Sequence, residues 1–133
     1  NYMRRKTLEI DTEAIKILRT LNNEECFYFY EACGKPTGEE ARSLPDFLKK
    51  IESVKLESLV FHLQRKDFQN WINKTLGDSK LARRIGRIHA SNDNAVRTKI
   101  FTTVEKRIKE LREESPGLEV SEDLIVAVPC SIP

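Results

Sequence analysis

Ser58 to Leu76, SLVFHLQRKDFQNWINKTL, decides the reading of this chain: it holds the only Trp, one of the two His and two of the six Phe. Leu59, Val60 and Leu63 recur at helical spacing, and after Asp67 a second apolar face follows as Phe68, Trp71, Ile72 and Leu76. Two short helices, or one with a kink, are expected. Asp67 has the side chain of an N-cap, which accepts a bond from a free backbone N–H of the next turn. Gly77 is suited to ending the second helix, because it reaches positive φ without a Cβ clash. His62 and Arg65 lie three apart and share a helix face, with Asp67 about half a turn further on, so Asp67 can hold a buried His62.

Working outward, Ser43 stands three residues before Asp46, the spacing of a capping box, with Pro45 tolerated in the first turn. Phe47, Leu48, Ile51 and Val54 then form the buried face of that helix. Upstream, Cys26-Phe-Tyr-Phe-Tyr30 has high strand propensity and is closed by the turn Gly34-Lys-Pro-Thr-Gly38. Before it, Asp11 or Thr12 can cap a helix with Ala14, Ile17, Leu18 and Leu21 inward, ending at Asn22-Asn23; residues 3–10 alternate only weakly. Downstream, Asp78 can cap a helix with Leu81, Ala82, Ile85 and Ile88 inward, interrupted at Ser91 to Asn94. The longest helix follows, with Val96, Ile100, Phe101, Val104, Ile108 and Leu111 on one side and Pro116-Gly117 as its stop. Leu124 to Val128 is apolar enough for a second strand, pairing with Phe27–Tyr30 or with the same run of another copy.

The fold class expected is therefore mainly α: one helical domain over residues 1–133, of about five helices with one or two short β-strands. Its parts are an N-terminal helical region (3–25), a core (26–88), a long helix (92–115) and a C-terminal tail or strand (116–133). A chain of 133 residues can bury roughly two-thirds of its unfolded surface. Its 33% charged and 39% apolar residues are globular in type, rich in Lys, Glu and Arg in the manner of thermophile proteins. No apolar run approaches the ~18 residues of a membrane helix, and no secretory leader pattern opens the chain. A cytoplasmic protein without membrane association is expected. The three cysteines, Cys26, Cys33 and Cys130, are odd in number and form no CxxC pair, which argues against a disulfide framework or a zinc site.

The runs ARSLPDFLKKIESV (41–54) and SLVFHLQRKDFQNWINKTLGDSKLARRI (58–85) resemble an uncharacterised family of small domains found alone in archaea and appended to sugar-acting or phosphatase-type enzymes. The resembling pattern falls on Phe27–Tyr30, Thr37-Gly38, Ser43–Phe47, Phe61–Ile72 and Leu76–Ala82, within residues 26–88, about half of the chain. Family members often have Gly directly before the Asp; Lys66 stands there in this chain, which argues against an essential left-handed turn. The resemblance implies an accessory or recognition role and names no chemistry.

Three constellations bear on function. His62, Arg65 and Asp67, with Trp71 as an aromatic wall, suit a sugar or a small anion through Arg hydrogen bonds and ring stacking. The plainer alternative is a satisfied core histidine, a helix cap and core packing. Lys35, Thr37 and Gly38 precede a helix N-terminus, where free N–H groups favour a phosphate, but the order of a P-loop is absent and plain turn chemistry explains them. Finally, residues 79–109 hold nine Lys and Arg against two acidic residues, and residues 110–123 hold one Arg against six. Arg83, Arg84, Arg87, Arg97 and Lys99 could thus meet nucleic-acid phosphates, although the net charge is only +2 and no aromatic residue interleaves them. A solvated face, neutralised by the acidic segment, accounts for the same pattern.

His62 and His89 have no coherent metal-ligand spacing with other residues, and no nucleophile has an evident base, so neither a metal, a cofactor nor a catalytic residue is assigned. The expected function is a non-catalytic binding or regulatory module for a small ligand, such as a carbohydrate or phosphorylated metabolite, or for an enzyme partner. Nucleic-acid binding through residues 80–107 is the alternative. A homo-oligomer is also expected if Phe27–Tyr30 or Leu124–Val128 leaves an open strand edge.

Overall fold

A computed structural model describes residues 12–114. Its elements run α1 (12–18), β1 (Phe27–Ala32), β2 (Lys35–Ala41), α2 (Leu44–Ser53), α3 (Leu56–Arg65), α4 (Asp67–Trp71), a π-helical turn (Ile72–Leu76), α5 (Ser79–Gly86) and α6 (Ala95–Glu114). The architecture is mainly α, with six α-helical segments among the described residues and one two-stranded antiparallel sheet. No helix among these residues is long and apolar enough to cross a membrane. Residues 3–10, the Pro116-Gly117 stop, Leu124–Val128 and Cys130 lie outside the described residues.

The aromatic run forms β1 as expected, and period-two alternation buries Phe27 and Phe29 while Tyr28 faces out. Its partner is the segment read above as a turn. Cys33 and Gly34 reverse the chain, with Gly34 at φ +75°, and Phe27 pairs with Ala41, Tyr28 with Glu40 and Tyr30 with Pro36. The ladder is irregular between Tyr28 and Tyr30, where Gly38 on the opposite strand takes φ +88°. Pro and Gly are poor strand formers, but an edge strand tolerates both. Lys35, Thr37 and Gly38 therefore belong to a hairpin and not to a helix N-terminus. Thr37 Oγ1 donates to the Phe29 carbonyl at 2.9 Å, which locks it into the ladder.

Phe27–Tyr30 is not an unpaired strand: β2 pairs along one side of β1, and on the other the Tyr30 amide donates to His62 of α3. Helix α1 stops at residue 18, short of Asn22-Asn23, because the Leu21 amide donates to the Arg42 carbonyl at 2.7 Å and draws the chain toward the end of β2. Ala14, Ile17 and Leu21 are buried nonetheless.

Ser43 caps α2 as expected, its hydroxyl accepting from the Asp46 amide at 3.1 Å. Asp46 reaches back one residue further than in a standard capping box, accepting from the Arg42 amide at 2.9 Å. Leu44, Phe47 and Ile51 are fully buried, and α6 lays Val96, Ile100, Val104, Ile108 and Leu111 against the same core. At its centre Phe27, Phe47 and Phe68 meet with centroids 5.1–6.0 Å apart, at angles suited to ring quadrupoles.

The break between α3 and α4 is a single residue in the left-handed region. Lys66 has φ +67°, and its amide reaches the His62 and Leu63 carbonyls. The left-handed turn, read from the sequence as not essential here, is thus present on a lysine. A non-glycine residue in this region costs roughly 1–2 kcal/mol, and closing α3 while turning α4 back onto the core offsets that cost. After Trp71 the chain widens into a π turn, closed by the Gly77 and Asp78 amides, both on the Ile72 carbonyl at 3.0 Å. Gly77 takes φ +85°, as its place at a helix end requires.

Candidate functional site: the cleft above His62

Helical spacing on α3 puts Leu59, His62 and Leu63 on the buried face, leaving His62 only 3% exposed. Its ring lies edge-on to Phe27 and Phe61, with centroids 4.8 and 5.0 Å away. His62 Nε2 is 2.8 Å from the Tyr30 backbone nitrogen. A backbone amide can only donate, so Nε2 is the bare, accepting nitrogen. Nδ1 therefore carries the proton and donates it to Asp67 Oδ2 at 2.8 Å. Burial pushes the imidazole pKa below its ordinary value, and this outweighs the opposing hydrogen bond and charge of Asp67; Arg65 lowers it further. His62 is a neutral ring with both nitrogens occupied.

Asp67 is not the cap expected of it. It is the first residue of α4, and no side chain caps that helix. Its carboxylate turns back toward α3, accepting from His62 and, on the same oxygen, from Arg65 Nε at 3.0 Å. Arg65 is 53% exposed in its side chain and lies over the Phe61 ring, 5.1 Å from the centroid.

Above these groups a cleft of about 390 Å³ opens between the hairpin and α3, lined by Phe27, Tyr28, Tyr30, Cys33, Gly34, Phe61, His62, Arg65 and Asp67. Three of the four residues expected here are present. Trp71 is not: it is buried, its indole N–H donates to the Glu25 carbonyl at 2.8 Å, and its ring packs on Phe47 and Phe27 at 5.3 and 5.5 Å. Tyr28, Tyr30 and Phe61 supply the aromatic walls in its place. The sequence carried a signal for Tyr28, since alternation along Phe27–Tyr30 exposes it. Nothing in the sequence brought the hairpin tip, with Cys33, beside Arg65. Cys26 is buried, and burial pushes its thiol pKa up despite nearby Arg42.

The basic helices are less open than their composition suggests. Arg97 donates to the Ile51 and Val54 carbonyls at 2.8 and 2.7 Å, closing the C-terminus of α2. Arg84 donates to both Glu110 carboxylate oxygens, at 3.0 and 3.2 Å. Both therefore have internal partners, which the sequence reading did not foresee, whereas Arg83, Arg87 and Lys99 remain exposed. A buried ion pair that sequence reading missed joins Arg107 Nε to Asp78 Oδ2 at 2.7 Å, while Asp78 Oδ1 accepts from the Leu81 amide and caps α5. Asp78 was legible as a cap, but its partner 29 residues away was not.

Among the described residues no three His, Cys, Asp or Glu side chains gather where they could hold a metal ion. No protein-family model, curated protein or solved structure matches the chain.

Proposed function

We propose that this chain is a non-catalytic binding module and that the cleft between the hairpin and α3 holds a carbohydrate. The observation that carries this reading is the Arg65–Asp67 pair, joined at 3.0 Å at the edge of an aromatic-walled cleft. The pair offers N–H donors and carboxylate acceptor sites side by side, which matches adjacent sugar hydroxyls that both donate and accept. Phe61 and Tyr30 supply apolar faces for a sugar ring. With one cation, one anion and a neutral imidazole, the cleft has no net charge, so a neutral polyhydroxyl ligand suits it better than a phosphorylated metabolite. The resemblance to small domains appended to sugar-acting or phosphatase-type enzymes implies an accessory role and does not itself choose the ligand.

His62 does not take part as a base, since Tyr30 occupies Nε2 and Asp67 holds the Nδ1 proton. It supports the floor of the cleft. Calorimetric titration with a panel of neutral mono- and oligosaccharides tests the proposal. At least one is expected to bind, and Phe61→Ala and Arg65→Gln should each weaken it by about tenfold, a loss of about 1.4 kcal/mol. No binding across the panel, or binding indifferent to both substitutions, removes the reading.

A further inference from the structure

Of the nine cations between residues 79 and 109, three have fixed internal partners: Arg84 on Glu110, Arg97 on the α2 carbonyls, and Arg107 on Asp78 and Glu110. Asp78, Arg84, Arg107 and Glu110 form a network whose two carboxylates balance its two guanidinium groups. Arg87 and Lys106 fall outside that balance, and neither makes a side-chain hydrogen bond or ion pair with any described residue. Both nevertheless converge with Arg84 and Thr103 around a cleft of about 290 Å³ between α5 and α6, and among the described residues no carboxylate lines it.

The dipole of α5 favours cations at its C-terminal end, where Arg84 and Arg87 stand. It does not account for Lys106, which projects from the middle of α6. Like charges brought together with no counter-charge among the described residues repel one another, and an anion in the cleft removes that cost. Arg84 is already oriented by its two bonds to Glu110. A guanidinium held in this way loses little freedom when its remaining N–H groups meet a ligand.

We propose that this cleft binds a phosphate group, with Arg87 and Lys106 supplying the charge and Arg84 an oriented donor. A phosphate monoester carries about −1.5 to −2 at neutral pH, which matches the two unbalanced cations. The Thr103 hydroxyl, now donating to the Lys99 carbonyl at 2.7 Å, turns to the anion when it binds. The phosphate can belong to a compact phosphorylated molecule or to a nucleic-acid backbone; the recognising chemistry is shared.

The full chain is titrated at low and moderate salt with inorganic pyrophosphate and, separately, with a short oligouridylate. The double variant Arg87→Gln/Lys106→Gln is compared with Arg83→Gln/Lys99→Gln, which removes the same charge outside the cleft lining. The expected result is a loss of at least about tenfold in the cleft variant and less than about twofold in the control, with binding weakened by salt as counter-ion release requires. Pyrophosphate binding of this kind assigns the site to compact ligands, and oligouridylate binding alone assigns it to a nucleic-acid backbone. Equal losses in both variants show a diffuse field and overturn the proposal, as does the absence of binding to either probe. Amide NMR shifts of the unsubstituted chain give an independent reading: pyrophosphate should move Arg87, Thr103 and Lys106, and shifts confined elsewhere contradict the site.

Discussion

His62 and Asp67 are joined at 2.8 Å across the left-handed break at Lys66, so that the carboxylate opening α4 fixes the tautomer of a histidine on α3. Through its other nitrogen the same ring takes the Tyr30 amide, and β1, α3 and α4 meet at one imidazole. Asp67 Oδ2 also receives Arg65 Nε at 3.0 Å. The atom that secures the core thus orients the cation at the edge of the cleft, and fold and candidate site depend on the same contact.

Replacing His62 by Phe keeps an aromatic ring but leaves the Tyr30 amide without its acceptor. A buried donor left unpaired costs about 1–3 kcal/mol, and the variant is expected to lose that much in urea unfolding at neutral pH. A loss below about 0.5 kcal/mol would show that water or a neighbouring group replaces the ring nitrogen, and the clasp would not matter to the fold.

Stability should fall on acidification in a defined window. The folded-state pKa of His62 lies below its ordinary value near 6.5, so the unfolded chain takes up the proton first. The contribution is complete above about pH 6.5 and declines from there through the lower folded-state pKa, at up to about 1.4 kcal/mol per pH unit for one proton. Protonation must also break the Tyr30 bond, because two donors would then face each other. Glu110 follows at more acidic pH: desolvation raises its pKa, but the bonds from Arg84 and Arg107 together hold it below the ordinary value of 4.5. Its contribution is present above that value and is lost as pH falls further. Denaturant titrations across pH should show the first decline, and His62→Phe should abolish it.

Asp78→Ala removes both the cap of α5 and the partner of a guanidinium group whose side chain is only 8% exposed. Breaking a buried pair from one side costs about 3–5 kcal/mol. Asp78→Asn retains a capping oxygen and should recover part of that loss. Equal, small effects of the two substitutions in thermal unfolding would show that Arg107 finds sufficient compensation from Glu110.

Lys66→Gly should stabilise the chain. Relief of the left-handed strain is worth roughly 1–2 kcal/mol, and the added freedom of glycine in the unfolded state takes back roughly 0.5–1 kcal/mol. A net gain of between zero and about 1.5 kcal/mol is expected in urea unfolding, and a destabilised variant would contradict the strain assigned to φ +67°.

Local patterns in the sequence were sound guides where one short segment determines the outcome. The Ser43 cap, the alternation of Phe27 to Phe29 and the inward face of α6 follow from spacing and side-chain chemistry within one or two turns. The errors share a cause: partners distant in the chain. Asp67 has the side chain of a cap, yet a buried imidazole and a guanidinium compete for its oxygens and prevail over the backbone. Trp71 looked like a wall for the cleft, but the Glu25 carbonyl draws its indole N–H inward. Pro36 and Gly38 read as turn residues because strand propensity ignores the edge position that accommodates them. In the candidate site, helical spacing already grouped His62 and Arg65, whereas Tyr30 and Cys33 reach them only through the hairpin.

Fold and cleft both depend on a neutral His62 fixed in one tautomer, and nitrogen-15 NMR of its ring across pH, with and without a bound sugar, reads that state from the nitrogens themselves. The expected spectrum has a protonated Nδ1 and a bare Nε2, titrates below the ordinary value of 6.5, and keeps that tautomer when ligand moves the Phe61 and Arg65 resonances. A ring that titrates near 6.5, or that carries its proton on Nε2, would contradict both the clasp and the uncharged cleft built upon it.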